Sequence, residues 1–318
     1  MLNKCINGLL LAAIALILST GCSDNPTVSV PDTDAAVSGP DTDSAVSVTD
    51  TDSLESAIDA GALESVIDTD ALPANLHLVT DVILTAGQSN ALADGTRFEP
   101  EVHPEDRLDP RILVWTQHNG WKVANPLTQI WEYDRFPARL WDPVNSNNSP
   151  GFQIARAIVD ADPSRVVAFI PTSTPGQSIR YWRFGETPYN AINQRVVNAL
   201  NELPSKFDVD LIWWMQGESD ANASDFYRRE LAALIDGWRT EPWYGSDNYF
   251  IANETVGYEV NQIFRELRTD ADQYTDYSEA EDLSTIQPGG DHYDSQAYRI
   301  IGNRVQQIYF DMRNAAGE

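Results

Sequence analysis

The pattern of hydrophobic and polar positions changes at about residue 76. Beyond that point, short and almost continuously apolar runs alternate with longer segments whose apolar residues recur at helical spacing. The short runs predict β-strands, and the amphipathic segments predict helices that cover them. The predicted strands are Val79–Thr85, Arg165–Pro171, Val209–Met215 and Tyr249–Ala252, and the predicted helices are Phe152–Asp160, Ala191–Leu203, Ala223–Trp238, Glu259–Arg268 and Ser295–Asn314.

This order of elements predicts an α/β fold. Strands that are apolar throughout, rather than on alternate positions, are typical of a parallel sheet that is buried on both faces. We therefore expect a three-layer, doubly wound sandwich with a mainly parallel sheet over residues 76–318. In such sheets, ligands bind outside the carboxyl ends of the strands, near the point where the strand order switches.

The first quarter of the chain has a different texture. Lys4 precedes an apolar run over residues 8–18 and then small residues that end at Gly21-Cys22, which predicts a secretory signal over residues 1–21. The end of this segment resembles the lipobox of bacterial lipoproteins, although Ser19 stands where those proteins usually have Leu. The resemblance implies lipid attachment at Cys22 and a place in the cell envelope, with Ser23 favouring the outer membrane. An ordinary signal with an incidental cysteine is the alternative.

Residues 22–75 predict an acidic, disordered tether. They repeat "PDTDAAVS" as "PDTDSAVS", lack aromatic residues, and carry twelve of the acids behind a formal net charge of −27. So acidic a chain disfavours nucleic acid as a ligand, and a membrane contact is expected only through the lipid anchor. Cys5 and Cys22 are the only cysteines, so no disulfide is expected after residue 75.

Three of the predicted strands run into polar loops that contain glycine. The loops read "AGQSN", "STPGQSIRYW" and "MQGESDA", and a late segment reads "DHYDSQAYRIIG". In this order the four segments resemble the sequence blocks of the SGNH hydrolases, in the branch of sialate O-acetylesterases and acetylxylan-type carbohydrate esterases. The resemblance covers the chain from about Val79 onward and implies the flavodoxin-like fold of those enzymes.

The resemblance also implies roles for individual residues. Ser89 would be the nucleophile, and the backbone N–H groups of Ser89 and Gly176 with the side-chain amide of Gln216 would form the oxyanion hole. A serine needs a base and pre-aimed donors for this chemistry, and the end of a strand can present all of them. Ser178, in the second Gly-Gln-Ser copy, is expected to brace its loop, with a role as nucleophile as the alternative.

His292 is the expected base because it precedes the last predicted helix. In the family, the acid that orients the histidine usually lies three residues earlier, and that position here is Gly289. Asp291 is the first substitute, Asp282 and Asp294 are further candidates, and a Ser-His dyad without an acid is also open.

Asn90, Trp182 and Glu218 are candidate substrate-binding residues, and the irregular stretch "QIWEYDRFPARLWDPVNSNNSPG" is a candidate substrate loop. Glu218 and Asp220 are expected to anchor the third loop by accepting N–H groups, with a glycosidase acid/base pair as the alternative.

The sequence therefore predicts a serine carboxylester hydrolase that removes O-acetyl groups from a glycan, or from a small acyl ester, through an acyl-enzyme. No metal or cofactor is expected, since no HExxH motif or cysteine cluster is present. The alternative is a non-catalytic glycan-binding lipoprotein on a degenerate fold of the same type.

Overall fold

The computed structural model describes residues 72–92, 103, 106–116, 120–124, 129–133, 141–145, 149–204, 206, 208–222, 224–268 and 272–317. Its strands are β1 Asp81–Gly87, β2 Ile112–Trp115, β3 Trp121–Val123, β4 Gln129–Tyr133, β5 Trp141–Asn145, β6 Val167–Pro171, β7 Val209–Met215, β8 Tyr244–Asn253 and β9 Thr275–Ser278. Its helices are α1 Pro150–Ala161, α2 Thr187–Asn201, α3 Ser224–Trp238, α4 Asn261–Leu267 and α5 Ser295–Ala316.

Seven of these strands form one sheet in the order β3-β2-β6-β1-β7-β8-β9. All neighbours pair in parallel except β3, which runs antiparallel to β2 at the edge. The chain passes from β1 to β2 and β6 on one side and then to β7 on the other. β1 therefore lies at the switch point, where the doubly wound fold opens a crevice beyond the strand ends.

Helices cover both faces of this sheet, as the sequence predicts. One apolar cluster joins the sheet to α2, α3 and α4, and a second joins it to α1 and α5. Successive residues of β1 alternate between them: Val82 and Leu84 belong to the first cluster and Ile83 to the second. Because successive side chains of a strand point to opposite faces of the sheet, β1 contributes to both apolar clusters, and every one of its residues is buried.

Some elements differ from the predictions. β2 and β9, which have four residues each, and the three-residue β3 were not predicted, because so short a run carries little periodicity. The stretch expected to be an irregular substrate loop contains β4 and β5, which pair as an antiparallel two-stranded ladder. The predicted signal, most of the predicted tether and Cys22 lie outside the described residues.

Within the described part of the chain, no helix is both long enough and apolar enough to cross a membrane.

Candidate active site

The first candidate loop begins at Gly87, where the backbone of β1 lies directly against that of β7. Gly87 has φ +138°, and a Cβ there would lie 2.0 Å from the carbonyl oxygen of Met215. Only glycine fits this backbone, so the chain can turn directly into the short 3₁₀ turn Ser89–Leu92. Gln88 N–H donates to the Met215 carbonyl at 3.0 Å, which fixes the turn against β7. Ser89 is thereby held at the switch point, with 8% of its surface exposed.

The second loop, after β6, is braced by the third. The Ser178 hydroxyl donates to Asp220 Oδ1 at 2.6 Å, and Ile179 N–H donates to Asp220 Oδ2 at 2.7 Å. The expectations that Ser178 braces its loop and that Asp220 anchors by accepting an N–H group are confirmed. Gly176 is exposed, with φ +66°. Among the described residues, the N–H groups of Ser89 and Gly176 have no hydrogen-bond acceptor.

Gln216, the third expected oxyanion donor, is completely buried. Its Nε2 lies 2.8 Å from Asp220 Oδ2, 3.0 Å from the Gln177 carbonyl oxygen and 3.1 Å from Gln88 Oε1. An amide nitrogen carries two hydrogens, so both already have protein acceptors. As placed, the Gln216 side chain ties the three loops together and has no hydrogen free for an oxyanion. This geometry departs from the expected donor role, whereas the two backbone N–H groups remain open.

The loop that carries His292 folds back on itself. Ile286 N–H donates to the His292 carbonyl oxygen at 2.9 Å, and Thr285 and Tyr293 form an isolated antiparallel bridge. A cavity of about 320 Å³ is lined by Ile286, Gln287, Gly290, Asp291 and His292. His292 is half-buried, and among the described residues its imidazole has no hydrogen-bond partner.

The three candidate acids bind other groups. Asp291 accepts from the Tyr258 hydroxyl at 2.5 Å, which raises the pKa of Tyr258 to about 12. Asp282 pairs with Arg304 at 2.8 Å, and hydrogen bonding to that guanidinium lowers the pKa of Asp282. Asp294 caps α5 through Ala297 N–H and accepts from the Ser284 hydroxyl. None of the three orients His292 in the described structure.

Asn90 connects the serine turn to the histidine loop. Its Nδ2 donates to the Asp291 carbonyl at 2.7 Å and to Glu218 Oε1 at 2.5 Å. Its Oδ1 accepts from Tyr293 N–H at 3.2 Å and from the Tyr298 hydroxyl at 3.0 Å. Asn90 is 0% exposed, so the prediction that it binds substrate directly is wrong. It holds the residues on both sides of His292 instead.

Glu218 presents an enclosed carboxyl group. Oε1 accepts from Asn90, whereas Oε2 is buried and has no hydrogen-bond partner among the described residues. Burial raises the pKa of Glu218 to about 7, against the opposing effect of the Asn90 hydrogen bond. Because this group is enclosed and Asp220 is saturated by loop donors, the two carboxyls do not form the glycosidase pair considered as an alternative. The Glu218 residue as a whole is partly exposed, so its role in substrate binding stays a prediction.

Trp182 is the second substrate-binding prediction that the structure corrects. It is 0% exposed and packs edge-on against Trp214, with ring centroids 5.1 Å apart. A sugar ring cannot reach its face. Conversely, Tyr258 and Tyr298 contact site residues but were missed in the sequence. Tyr298 stands in the quoted "DHYDSQAYRIIG" block, in the first turn of the last predicted helix, and this position close to His292 was the available signal.

No group of three or more His, Cys, Asp or Glu side chains that could hold a metal ion occurs in the ranges described. The chemistry available at this edge of the sheet is that of a hydroxyl, an imidazole, open backbone donors and buried amides.

The fold and the arrangement of these loops are those that the resemblance to the SGNH hydrolases implies. Two solved structures share the fold: an Arabidopsis thaliana protein, AT4G34215, at 18% identity with TM-score 0.59, and NanS at 16% identity with TM-score 0.57. The alignments cover 73% and 77% of this chain and 98% and 99% of those chains.

The sequence profile of the carbohydrate esterases described as sialic acid-specific acetylesterases matches residues 79–311. The match covers well over half of the chain, which therefore belongs to this family and is a carbohydrate O-acetylesterase. No protein with curated function matches it.

Proposed function

We propose that the protein removes O-acetyl groups from a glycan through an acyl-enzyme formed on Ser89. The observation that carries the proposal is the pair of contacts from Asn90 to the residues that flank His292. They bring the histidine loop to the serine turn at the switch point of the sheet, where the doubly wound fold binds ligands.

In the proposed reaction, His292 accepts the Ser89 hydroxyl proton as the oxygen attacks the acetyl carbonyl. The backbone N–H groups of Ser89 and Gly176 donate to the oxyanion, and they are free to do so because no acceptor in the described part of the chain binds them. The tetrahedral intermediate then expels the sugar alkoxide, which takes the proton from His292. Water, deprotonated by His292, attacks the acetyl-serine and releases acetate and the free hydroxyl.

The test compares the two Gly-Gln-Ser serines. With O-acetylated sialic acid and acetylated xylan as separate substrates, we expect Ser89→Ala and His292→Ala each to lower kcat for acetate release by about 10³-fold or more. Ser178→Ala removes a bracing bond to Asp220 and is expected to cost far less. His77→Ala, at an exposed histidine, is the control for His292→Ala.

Mass spectrometry of rapidly quenched enzyme should place one acetyl group on the peptide that contains Ser89. Full activity of Ser89→Ala would contradict the mechanism. A wild-type protein that binds these glycans but releases no acetate would instead support the alternative of a glycan-binding protein, which Gly289 at the usual acid position favours.

We also propose that the enzyme acts outside the cytoplasm, anchored in the envelope through a lipid on Cys22. The lipobox-like end of the apolar N-terminal run supports this proposal. An acidic tether would then hold the domain away from the anionic lipid surface while keeping it near glycans of the envelope.

A further inference from the structure

We infer that Asn90 is a positioning residue, whose side-chain amide holds the backbone on both sides of His292 and so sets the separation of that histidine from Ser89. The inference rests on the proposed roles of Ser89 and His292. Asn90 directly follows Ser89 in a buried 3₁₀ turn, so its side chain moves with the serine backbone. The groups it binds are the carbonyl of Asp291 and the N–H of Tyr293.

The hydrogen-bonding capacity of this amide is fully used. Its two hydrogens go to Asp291 and Glu218, and its oxygen accepts from Tyr293 and Tyr298. An asparagine has two donor hydrogens and a carbonyl with two lone pairs, so all four interactions are satisfied with nothing exposed. A saturated buried network of this kind permits one orientation of the amide, and therefore one position of the peptide groups it binds.

These hydrogen bonds of Asn90 matter because the acid that usually orients the catalytic histidine is missing. In a Ser-His-Asp triad the carboxylate holds the imidazole ring itself. Here Gly289 stands at that position, and Asp282, Asp291 and Asp294 bind elsewhere. Asn90 instead fixes the main chain before and after the ring, which places the base without touching it. A displacement of about 1 Å between reacting groups can cost about 10²-fold in rate.

A purely structural asparagine would give a different pattern of effects. Loss of its hydrogen bonds would lower the free energy of unfolding, and activity would fall only as the folded fraction falls. A positioning residue lowers kcat in fully folded protein and leaves KM nearly unchanged, because it binds no part of the substrate.

The decisive variants reverse the polarity of the bond between Asn90 and Glu218. Asn90→Asp keeps the shape and both acceptor bonds but turns a carboxylate oxygen toward Glu218 and the Asp291 carbonyl. In the double variant Asn90→Asp with Glu218→Gln, the new glutamine amide donates to the new carboxylate, while the Asp291 carbonyl still lacks its donor. The double variant therefore restores the bond to residue 218 and keeps the bond from Tyr293 N–H, but lacks the bond to the Asp291 carbonyl.

We expect Asn90→Asp to lose both stability and kcat. We expect the double variant to regain only the part of the urea midpoint that the bond to residue 218 contributes, while kcat of the folded protein stays about 10²-fold below wild type, with KM within about twofold. Tyr298→Phe removes one hydrogen bond to Asn90 but leaves its bonds to the Asp291 carbonyl and the Tyr293 N–H intact. We expect this variant to retain at least about a third of kcat. Inactivation by a fluorophosphonate, which also requires Ser89 and its base, should slow in the double variant by the same factor as kcat.

Recovery of kcat to within about threefold of wild type in the double variant would overturn the inference. So would a loss of kcat in Tyr298→Phe as large as that in the double variant. An active Ser89→Ala protein would instead contradict the proposed function. If Ser89→Ala is inactive and the double variant turns over like wild type, only the role of Asn90 fails.

Discussion

Glu218 shows how a single side chain can make the fold sensitive to pH. Its carboxyl is enclosed beside Asn90, and one of its oxygens has no hydrogen-bond partner in the described structure. Because burial disfavours the charged form, the pKa of Glu218 is raised to about 7 from an ordinary value of 4.5. The nearby carboxylate of Asp291 acts in the same direction.

The consequence is a dependence of stability on pH. Between about pH 4.5 and pH 7 the folded protein binds more protons at Glu218 than the unfolded chain does. The free energy of unfolding therefore falls as pH rises through this window, by a total on the order of 3 kcal/mol from this group. Glu218→Gln cannot ionise, so urea denaturation from pH 5 to pH 8 should give a smaller fall than in wild type.

Burial also raises the pKa of Asp210, to about 6, so Asp210 makes the free energy of unfolding fall with pH in the same way as Glu218. Asp210 is present in both wild type and Glu218→Gln, so its effect cancels when the two are compared. Glu259→Gln, at an exposed glutamate, is the control and should leave the wild-type slope unchanged. If the free energy of unfolding fell equally with pH in wild type and Glu218→Gln, the folded state would not favour the protonated carboxyl of Glu218.

The residues that sequence could place are those set by position along the chain. Ser89 and Gly176 follow strands and His292 precedes a helix, so the order of elements brings them to one edge. Asn90 and Trp182 are closed to substrate because other residues enclose them in the folded protein. Trp182 is closed off by Trp214, from a strand distant in sequence, and no local pattern carries that information.

At the scale of elements, sequence predicted the central strands and the five α-helices, α1 to α5. β7 matches its prediction from Val209 to Met215, because five consecutive apolar residues, Leu211–Met215, form a clear signal for a strand that is buried on both faces. β9, with the sequence "TDYS", has no such run. It pairs in parallel with β8 at the edge of the sheet, so its strand form depends on a ladder partner rather than on its own composition.

Two glycines of the site elements should respond differently to substitution. Gly87 and Gly289 both have positive φ, but a Cβ at Gly87 would lie 2.0 Å from the Met215 carbonyl oxygen, whereas a Cβ at Gly289 would meet nothing within 4 Å. We expect Gly289→Ala to lower the free energy of unfolding by about 1 to 2 kcal/mol, the cost of the left-handed conformation alone. Gly87→Ala adds a main-chain clash and should cost about 3 kcal/mol or more.

Urea denaturation measures both losses, and acetate release shows whether activity follows. Gly87→Ala should reduce kcat even where it is folded, because separating β1 from β7 moves the Ser89 turn. Equal destabilisation by the two substitutions would mean that close strand packing does not constrain Gly87.

The whole molecule joins a catalytic domain to a charged N-terminal segment, and the structure indicates where the domain begins. Leu76 is buried in the core, and Asn75 Nδ2 donates to the Pro110 carbonyl at 2.6 Å. Pro73 accepts from Leu76 N–H through its carbonyl oxygen at 3.2 Å. Residues 73–76 therefore pack on the domain, although the family profile starts only at residue 79.

Two truncated chains and one substitution test which N-terminal residues stabilise the folded domain. A chain that begins at residue 72 should keep the kcat and melting temperature of the full chain, since it retains these contacts. A chain that begins at residue 79 loses the buried Leu76 and the Asn75 hydrogen bond, which together contribute about 2 to 4 kcal/mol to the free energy of unfolding. Urea denaturation measures this loss, and Leu76→Ala in the longer chain should reproduce most of it.

The proposed anchor is tested in the native host by fractionation. Full-length protein should sediment with membranes, whereas Cys22→Ala should not and should keep the kcat of the anchored enzyme, because the lipid contributes no group to the site. Membrane association of Cys22→Ala would contradict lipid attachment at this cysteine. A lower melting temperature for the chain that begins at residue 72 would show that residues 1–71 stabilise the domain and do more than connect it to an anchor.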